Sequence, residues 1–253
     1  MTNYKLQLNR DKTEMMFIAP NKSLCSDSVP STIMFDDGTA IQVSDTVRNL
    51  GVVLDKSLSF EQQVSAICRM CYLELRRISS IRHLLSVEAT KTLICSFVLS
   101  RLDYCNSLLA GCPKHLLQKL QRIQNNAARL IFRTSRSSHV TPLFISLHWL
   151  PVERRVQYKI ALLCFKSLNG LAPAYLSDLI HIYIPSRQLR SSADTRVFRI
   201  PSFRTKTFGQ RAFSYQAPII WNQLPYHVRH SPNLSAFKSS LKTHLFQASF
   251  PSH

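Results

Sequence analysis

The stretch Asn49-Leu50-Gly51-Val52-Val53-Leu54-Asp55-Lys56-Ser57-Leu58-Ser59-Phe60-Glu61-Gln62 contains the change of hydrophobic period that decides the fold class. Residues 49–54 form a short apolar run, which predicts a β-strand in which Gly51 allows close backbone approach. Ser59-Phe60-Glu61-Gln62 has the pattern of a capping box, with Gln62 in the fourth position, and predicts the start of a helix. The chain is therefore predicted to change from β to α structure near residue 57.

The segment before this change is predicted to be rich in β structure. Residues 14–19, which are apolar after Glu14, predict a strand. Residues 33–43 contain Asp37-Gly38 between two apolar runs, which is a strong signal for a β-hairpin. The Asp36-Asp37 pair is interpreted as part of that turn and not as a metal site.

The segment after the change is predicted to be mainly helical. Apolar residues recur at helical spacing from Val64 to Ile78. Further helices are predicted over residues 87–109, 113–133, 142–147, 151–168, 173–180 and 233–247. Residues 181–230 contain four prolines and alternating Arg and aromatic residues, so irregular or β-like structure is predicted there. The predicted fold class is α+β: a small β-rich part over 1–56, a mainly α-helical region over 57–180, and a partly irregular extension over 181–253 with a terminal helix.

The composition is strongly basic. The 253 residues include 32 Lys and Arg against 14 Asp and Glu, a formal net charge of +18. The segment after Ile180 contains ten Lys or Arg, whereas its only acidic residue is Asp194. A surplus of this size attracts polyanions. Nucleic acid is the first candidate partner, because binding to it releases counterions, and an anionic membrane surface is the second.

The seven cysteines favour a reducing compartment. Their number is odd and no secretory apolar segment opens the chain, so a nuclear or cytoplasmic protein that is not secreted is expected. No apolar run approaches the roughly 20 residues that span a bilayer. Cys68-x-x-Cys71 has a metal-like spacing but lacks a second pair and falls on the apolar face of a predicted helix. It is interpreted as buried thiols, and no metal site is predicted.

Two segments near the start carry a resemblance to a known family. Leu6-Gln7-Leu8-Asn9-Arg10-Asp11-Lys12-Thr13-Glu14 resembles motif D, and residues 47–55 resemble the primer grip, of the reverse transcriptases of LINE-type (non-LTR) retrotransposons. Later segments are similar to open reading frames of the jockey-like and chicken-repeat-like groups. They are Ser100-Arg101-Leu102-Asp103-Tyr104-Cys105-Asn106-Ser107-Leu108-Leu109, residues 120–129, Leu147-His148-Trp149-Leu150-Pro151, Leu189-Arg190-Ser191-Ser192, residues 209–214, Ala217-Pro218, Trp221-Asn222-Gln223-Leu224-Pro225 and residues 237–246.

The resemblance implies roles for two sets of residues. Lys12 would lie near the incoming triphosphate and protonate the leaving pyrophosphate; the alternative is a surface lysine at the start of a strand. Arg48, Asn49, Leu50 and Gly51 would hold the primer end; the alternative is a plain strand. In the family the catalytic aspartates precede motif D, so they are expected to lie before Met1. Mg²⁺ is implied by the family only, no cofactor is expected in this chain, and the chain alone is predicted to be inactive as a polymerase.

The basic helices are predicted to bind nucleic acid, because a helix with an inward apolar face and outward Arg can lie along a phosphate backbone. The candidate residues on the helices are Arg69, Arg76, Arg77, Lys119, Arg122, Arg129 and Arg133. In the extension they are Arg190, Arg199 and Arg204, which alternate with Phe residues. Such alternation suits single strands; the alternative is that these Phe residues are core and the Arg residues solvated. His148-Trp149 is interpreted as a core bend between helices.

Two functions follow from these features. The first is a catalytically incomplete part of a retrotransposon RNA-directed DNA polymerase: the end of the palm (1–56), a thumb-like region (57–180) and a C-terminal extension (181–253). It is expected to bind RNA or DNA, primer–template above all, and no membrane. The second is a decayed or host-retained open reading frame that acts as a protein-interaction scaffold without enzymatic activity. A solvent-facing basic side of the helix over 113–133, continuous with Arg69, Arg76 and Arg77, favours the first, whereas scattered cations favour the second.

Overall fold

A computed structural model of the chain describes residues 9, 12–18, 30–34, 38, 40–185, 196–203, 205 and 208–251. The chain divides into two compact units, Met1–Ser65 and Ala66–His253. Short antiparallel strands lie in the first unit and most helices in the second. The α+β class predicted from the sequence is therefore confirmed at this coarse level.

The first unit contains two small hairpins. Strands β1 (Thr32–Met34) and β2 (Ala40–Gln42) pair antiparallel, with Met34 opposite Ala40. This confirms the hairpin predicted from Asp-Gly, although Asp36 and Asp37 lie outside the described residues. Strands β3 (Thr46–Asn49) and β4 (Val52–Asp55) form the second antiparallel pair.

The second hairpin corrects the prediction of a single strand over residues 49–54. Asn49 and Val52 face each other, and the chain reverses at Leu50 and Gly51, whose φ angles are +47° and +82°. Two successive positive φ angles match the twist of a tight hairpin. The sequence did not predict this turn, because its first position is Leu50 and not the Asn, Asp or Gly that usually occupies it. The strand predicted over residues 14–19 was also wrong: among its described residues only Met15 pairs, in one isolated bridge to Val43.

Helix α1 (Glu61–Ile81) starts at a cap built by Asp55. The Asp55 carboxylate accepts hydrogen bonds from the backbone N–H groups of Ser57, Ser59 and Phe60 and from both serine hydroxyls. Ser59 Oγ accepts from the N–H of Glu61 at 3.2 Å. The predicted start of the helix is confirmed. The cap differs from the prediction, because Asp55 accepts the backbone N–H of Ser59, which the side chain of Gln62 was expected to accept.

The second unit contains the remaining helices. Two of them are α4 (Lys114–Phe132) and α6 (Val152–Leu168). The others are α2 (Val87–Ile94), α3 (Ser100–Asp103), α5 (Thr141–Leu147), α7 (Ala174–Ser177), α8 (Phe213–Asn222), α9 (Tyr226–Arg229) and α10 (Leu234–Ser249). A π-helical turn (Cys95–Leu99) joins α2 to α3, and 3₁₀ turns span Arg82–Leu84, Asn106–Leu109 and Gly209–Arg211.

Two predictions for this unit need correction. The helix predicted over residues 87–109 is interrupted, because Tyr104 is extended and Cys105 has a φ of +51°. Residues 181–230 were predicted to be irregular or β-like, yet they include α8 and α9. Pro218 lies inside α8 with Ala217, Pro218 and Trp221 buried, so packing of that face offsets the hydrogen bond that a proline cannot donate.

The core of the second unit is centred on α6. Ile160, Cys164 and Phe165 of α6 are almost fully buried. The Phe165 ring stacks on Phe237 of α10 with the centroids 4.3 Å apart, and Trp221 of α8 lies 5.8 Å from the same Phe237 ring. This aromatic cluster ties three helices together.

Candidate functional site

A groove with a charged lining lies between α1 and α4, and we call it the basic groove. It has a volume of about 910 Å³ and lies entirely within the second unit. It is lined by Tyr72, Leu75, Arg76, Ser79, Asn126, Arg129, Leu130, Arg133, Thr134 and Arg136. Four of these ten residues are arginines, and no carboxylate is among the described lining residues.

The two helices run side by side in the same direction. Tyr72 and Arg76 of α1 and Asn126 and Arg129 of α4 line the same groove. Beyond the end of α1, Arg82 bonds to the carbonyl oxygens of Leu130 and Ile131 at the end of α4. The groove between the helices therefore follows both helix axes.

Helical periodicity explains why polar residues face the groove. On α4 the residues at spacings of three and four are Lys119, Arg122, Asn126, Arg129 and Arg133; on α1 they are Arg69, Tyr72, Arg76 and Ser79. These sets form one stripe on each helix. All nine side chains are exposed except Arg129, which is half-buried. The opposite face of α4 is core, with Leu116, Leu120 and Ile123 fully buried.

Two of the arginines are held in place by backbone carbonyls. Arg129 donates through Nη2 to Ser138 O at 2.9 Å, and Arg133 donates through Nη2 to Arg82 O at 2.7 Å. Arg76 and Arg136 have neither a hydrogen bond nor an ion pair with any part of the chain that the structure describes. The groove thus combines oriented guanidinium groups with others that are open to a ligand.

Arg82 anchors the end of the groove. Its side chain is buried, and the guanidinium donates to Leu130 O at 2.9 Å, to Ile131 O at 2.6 Å and to Leu85 O at 2.7 Å. Carbonyl groups at a helix C-terminus carry partial negative charge and stabilise a cation there. Burial lowers the pKa of Arg82, with a smaller effect of Arg133 in the same direction. Arg82 therefore fixes α1 to α4.

Most of the predicted helical residues meet at this surface. Arg76, Arg129 and Arg133 line the groove, and Arg69, Lys119 and Arg122 continue its two stripes. Arg77 does not: it bonds to Glu74 at 3.4 Å, and Glu74 also contacts Arg101 at 3.5 Å. The sequence analysis did not identify Tyr72, Ser79 and Asn126. Each lies three or four positions from a predicted arginine, and that spacing places it on the same helix face.

The residues predicted from motif D and the primer grip lie in the first unit. Lys12 is exposed, and Arg48, Asn49, Leu50 and Gly51 are exposed at the turn of the second hairpin. The Glu14 carboxylate accepts the backbone N–H of Arg48 at 2.8 Å. The two segments are therefore neighbours, but their side chains are not gathered around a described cavity.

The extension supplies fewer candidates than predicted. Arg190 and Arg204 lie outside the described residues. Arg199 is exposed and its backbone N–H donates to His181 O at 2.8 Å. Phe198 is buried, packs on Trp221 at 5.6 Å, and is held by both amide atoms of Asn222. Phe198 is therefore a core residue, which was the alternative given for the Phe residues of this segment, and does not stack on a nucleic-acid base.

The other residues singled out in the sequence are structural. Cys71 is fully buried and burial raises its thiol pKa to about 12, while Cys68 is half-buried. Among the described residues no group of three or more His, Cys, Asp or Glu could hold a metal ion. Trp149 is buried against Phe144, which confirms it as a core residue.

No protein-family model matches the chain, and neither a curated protein nor a solved structure shows significant similarity to it. None of the helices in the described ranges is both long and apolar enough to cross a bilayer.

Proposed function

We propose that this chain is the C-terminal part of a LINE-type reverse transcriptase and that it binds primer–template nucleic acid along the basic groove. In this proposal α1 to α7 form the thumb-like region, the two hairpins belong to the end of the palm, and residues 181–253 form the extension. The chain binds and orients nucleic acid and, alone, does not incorporate nucleotides.

The observation that supports this proposal best is the pair of facing stripes. A polyanion in the groove would meet cations from both helices, with Arg76 on one wall and Arg129 and Arg133 on the other. Helix α4 contains no Asp or Glu in its 19 residues, so nothing on that helix opposes the attraction. Guanidinium groups suit phosphate because they donate two parallel hydrogen bonds.

A scaffold for another protein would not need this arrangement. Protein interfaces are depleted of charge at their centre, whereas nucleic-acid interfaces are strongly positive and often hold exposed aromatic side chains that stack on bases. Tyr72 is 44% exposed and lines the groove next to Arg76. The groove therefore offers both a phosphate-binding and a stacking group.

The test measures binding of the purified chain to a labelled RNA–DNA primer–template across a salt series. Fluorescence anisotropy reports the fraction of the primer–template that is bound. The double variant Arg76→Glu with Arg136→Glu changes two groove arginines that have no described bond to the protein. We expect a loss of at least tenfold in affinity at low salt and a salt slope smaller by about 2, since each phosphate contact contributes about 0.9 to the slope.

The matched control is Lys238→Glu with Lys242→Glu. Both residues are exposed, neither lines the groove, and the net charge changes by the same amount. We expect a small effect on the slope. An equal loss in both double variants would show that overall charge or the extension drives binding, and would overturn the groove proposal. No binding at low salt by the folded, monodisperse protein would leave the protein-interaction scaffold as the better function.

A further inference from the structure

A second cavity in the same unit shares no lining residue with the basic groove. It has a volume of about 530 Å³ and lies where α3, the turn after α5, α6 and α10 meet. This volume falls in the range of small-molecule pockets, roughly 300–1,000 Å³. Leu99, Leu147 and Trp149 provide apolar walls. Nothing in the proposed binding of primer–template uses this cavity.

One buried polar atom in the lining lacks a partner. Asn106 is only 3% exposed, and its Oδ1 makes no hydrogen bond to any residue that the structure describes. Its Nδ2 donates to Asp103 Oδ1 at 3.4 Å. Arg155 donates to the same carboxylate through Nε at 2.8 Å and through Nη2. An ionised carboxylate can only accept, so the Asn106 amide nitrogen must face Asp103 and the amide oxygen must face away.

An unpaired buried acceptor is costly. It forfeits the solvation that it had in the unfolded chain, and such atoms in folded proteins usually bind a water, an ion or a ligand. Asn106 lines the cavity, but Oδ1 itself is not accessible to water, so a hydroxyl or amino group of a bound molecule reaches it only after a small shift of the side chains around it. The first requirement of the ligand is thus a hydrogen-bond donor.

The second requirement is negative charge. Lys159 and Lys242 both line the cavity, and neither has an ion pair or hydrogen bond within the described ranges of the chain. Arg155 is neutralised by Asp103, so the two lysines leave the lining with a net positive charge. Two ammonium groups at one cavity match a dianion better than a single negative charge.

We propose that this cavity binds a small organic phosphate. A hydroxyl or amino group of the ligand donates to Asn106 Oδ1, and its phosphate lies against Lys159 and Lys242. Sugar phosphates and mononucleotides share this chemistry. The proposal does not depend on the basic groove, since no residue is common to both.

Cysteine alkylation gives a direct test with an internal control. Cys95 is exposed and lines the cavity, whereas Cys105 is exposed but does not line it. The full chain is treated with iodoacetamide and both thiols are followed by mass spectrometry. A ligand at about ten times its dissociation constant should slow the alkylation of Cys95 about tenfold, because only the free protein reacts. The alkylation rate of Cys105 should not change.

Four probes separate the possible ligands: AMP, ribose 5-phosphate, adenosine and inorganic phosphate. We expect AMP or ribose 5-phosphate to protect Cys95 at lower concentration than adenosine or inorganic phosphate does. Protection by both phosphate esters would assign the site to the sugar phosphate, and protection by AMP alone to the nucleotide. If no probe slows the alkylation of Cys95, or if the alkylation of Cys95 and that of Cys105 slow equally, the proposal is overturned.

Variants locate the binding groups. Asn106→Leu removes the amide and should abolish protection. It loses the 3.4 Å hydrogen bond from Nδ2 to Asp103 but also removes the unpaired Oδ1, so the unfolding midpoint should change little. Lys159→Gln with Lys242→Gln should weaken protection by phosphate esters, whereas Lys238→Gln, on the same helix as Lys242, should not. Full protection in the Lys159 and Lys242 variant would contradict the proposal. The Arg76→Glu and Arg136→Glu variant should keep protection, which separates this site from the groove.

Discussion

At the scale of single residues, Arg82 shows how one side chain positions the groove. Replacing Arg82 by Ala removes three hydrogen bonds to carbonyl oxygens and leaves the end of α4 unpaired. We expect a loss of about 3 kcal/mol in the free energy of unfolding, measured by urea denaturation, since breaking a buried charge network is costly.

The control for Arg82 is Arg77→Ala. The Arg77 side chain is 65% exposed and bonds only to Glu74 among the described residues, and surface ion pairs contribute about 0–1 kcal/mol. Arg82→Lys should recover little of the loss, because one ammonium cannot reach three carbonyl groups in the geometry of a guanidinium. Equal effects of Arg82→Ala and Arg77→Ala would contradict the anchoring role.

Asp55 gives a prediction for pH. Its burial would raise the carboxyl pKa, but hydrogen bonds from Ser57, Ser59 and Phe60 lower it below its ordinary value of 3.8. A carboxyl whose pKa is lower in the folded state stabilises that state above its ordinary pKa. This stabilisation is lost as pH falls through the lowered value, that is, below 3.8.

The measurement for Asp55 is the amide exchange of Ser59 and Phe60 in the wild type and in Asp55→Asn. We expect the variant to exchange faster at pH 5 to 6, and the difference to shrink as the pH approaches and passes below 3.8. Asp45→Asn is the control, because Asp45 is exposed and pairs with Lys56 at the surface. A difference that does not depend on pH would show that the Asp55 charge is not involved.

Residues on a regular apolar pattern could be assigned from the sequence, whereas Arg82 and Asp55 could not. Trp149 was predicted to be core because large aromatic residues next to a helix bend are usually buried. The burial of Arg82 depends on carbonyl groups at Leu130 and Ile131, 48 and 49 positions away. A single sequence does not indicate which distant backbone atoms will meet a charged side chain.

At the scale of elements, the interruption of the helix after α3 can be tested with two separate substitutions to glycine. Cys105 has a φ of +51°, in the left-handed region, where a residue with a Cβ costs about 1–2 kcal/mol. Cys105→Gly should therefore raise the urea midpoint. Cys95 has helical angles, so Cys95→Gly should lower stability by about 1 kcal/mol. The two cysteines are both exposed, and the same sign for both substitutions would contradict the assignment of Cys105 as the break.

Helices with an uninterrupted apolar pattern were predicted almost to their ends. This holds for α4, α6 and α10, which are 19, 17 and 16 residues long and each bury one apolar face. The segment over 87–109 is apolar throughout, so its periodicity did not reveal the break at Cys105. Helix α8 was missed because Pro218 lowers helix propensity, and only the burial of Trp221 and its neighbours outweighs that loss.

At the scale of the whole molecule, the groove depends on the parallel arrangement of α1 and α4. The sequence indicated a basic face on each helix, and Arg76, Arg129 and Arg133 of those faces line the groove. The sequence did not indicate that the two faces meet, because helices separated by the 32 residues 82–113 can pair in several ways. The anchoring contacts of Arg82 and Arg133 decide between those pairings, and they are side-chain-to-backbone bonds without a sequence pattern.

The last prediction concerns the two units. The strands of Met1–Ser65 are three or four residues long and occur in two-stranded sheets, which are marginally stable. The core around Phe165 and Trp221 is larger and fully buried. Opening of the first unit should therefore need less free energy than opening of the second, and unfolding of the chain should not be a single two-state transition.

Native-state hydrogen exchange in increasing urea measures this difference. The amides of Val43 and Val53 report on the first unit, because they bond to Ser31 O and Gln63 Oε1, both at 2.9 Å. Ile160 and Phe165 report on α6. We expect Val43 and Val53 to lose protection at lower urea, and a primer–template bound in the groove to raise the opening free energy of the second unit more than that of the first. One common opening free energy for all four amides would instead make the chain a single cooperative unit, and binding in the groove would then stabilise the hairpins as strongly as the helices.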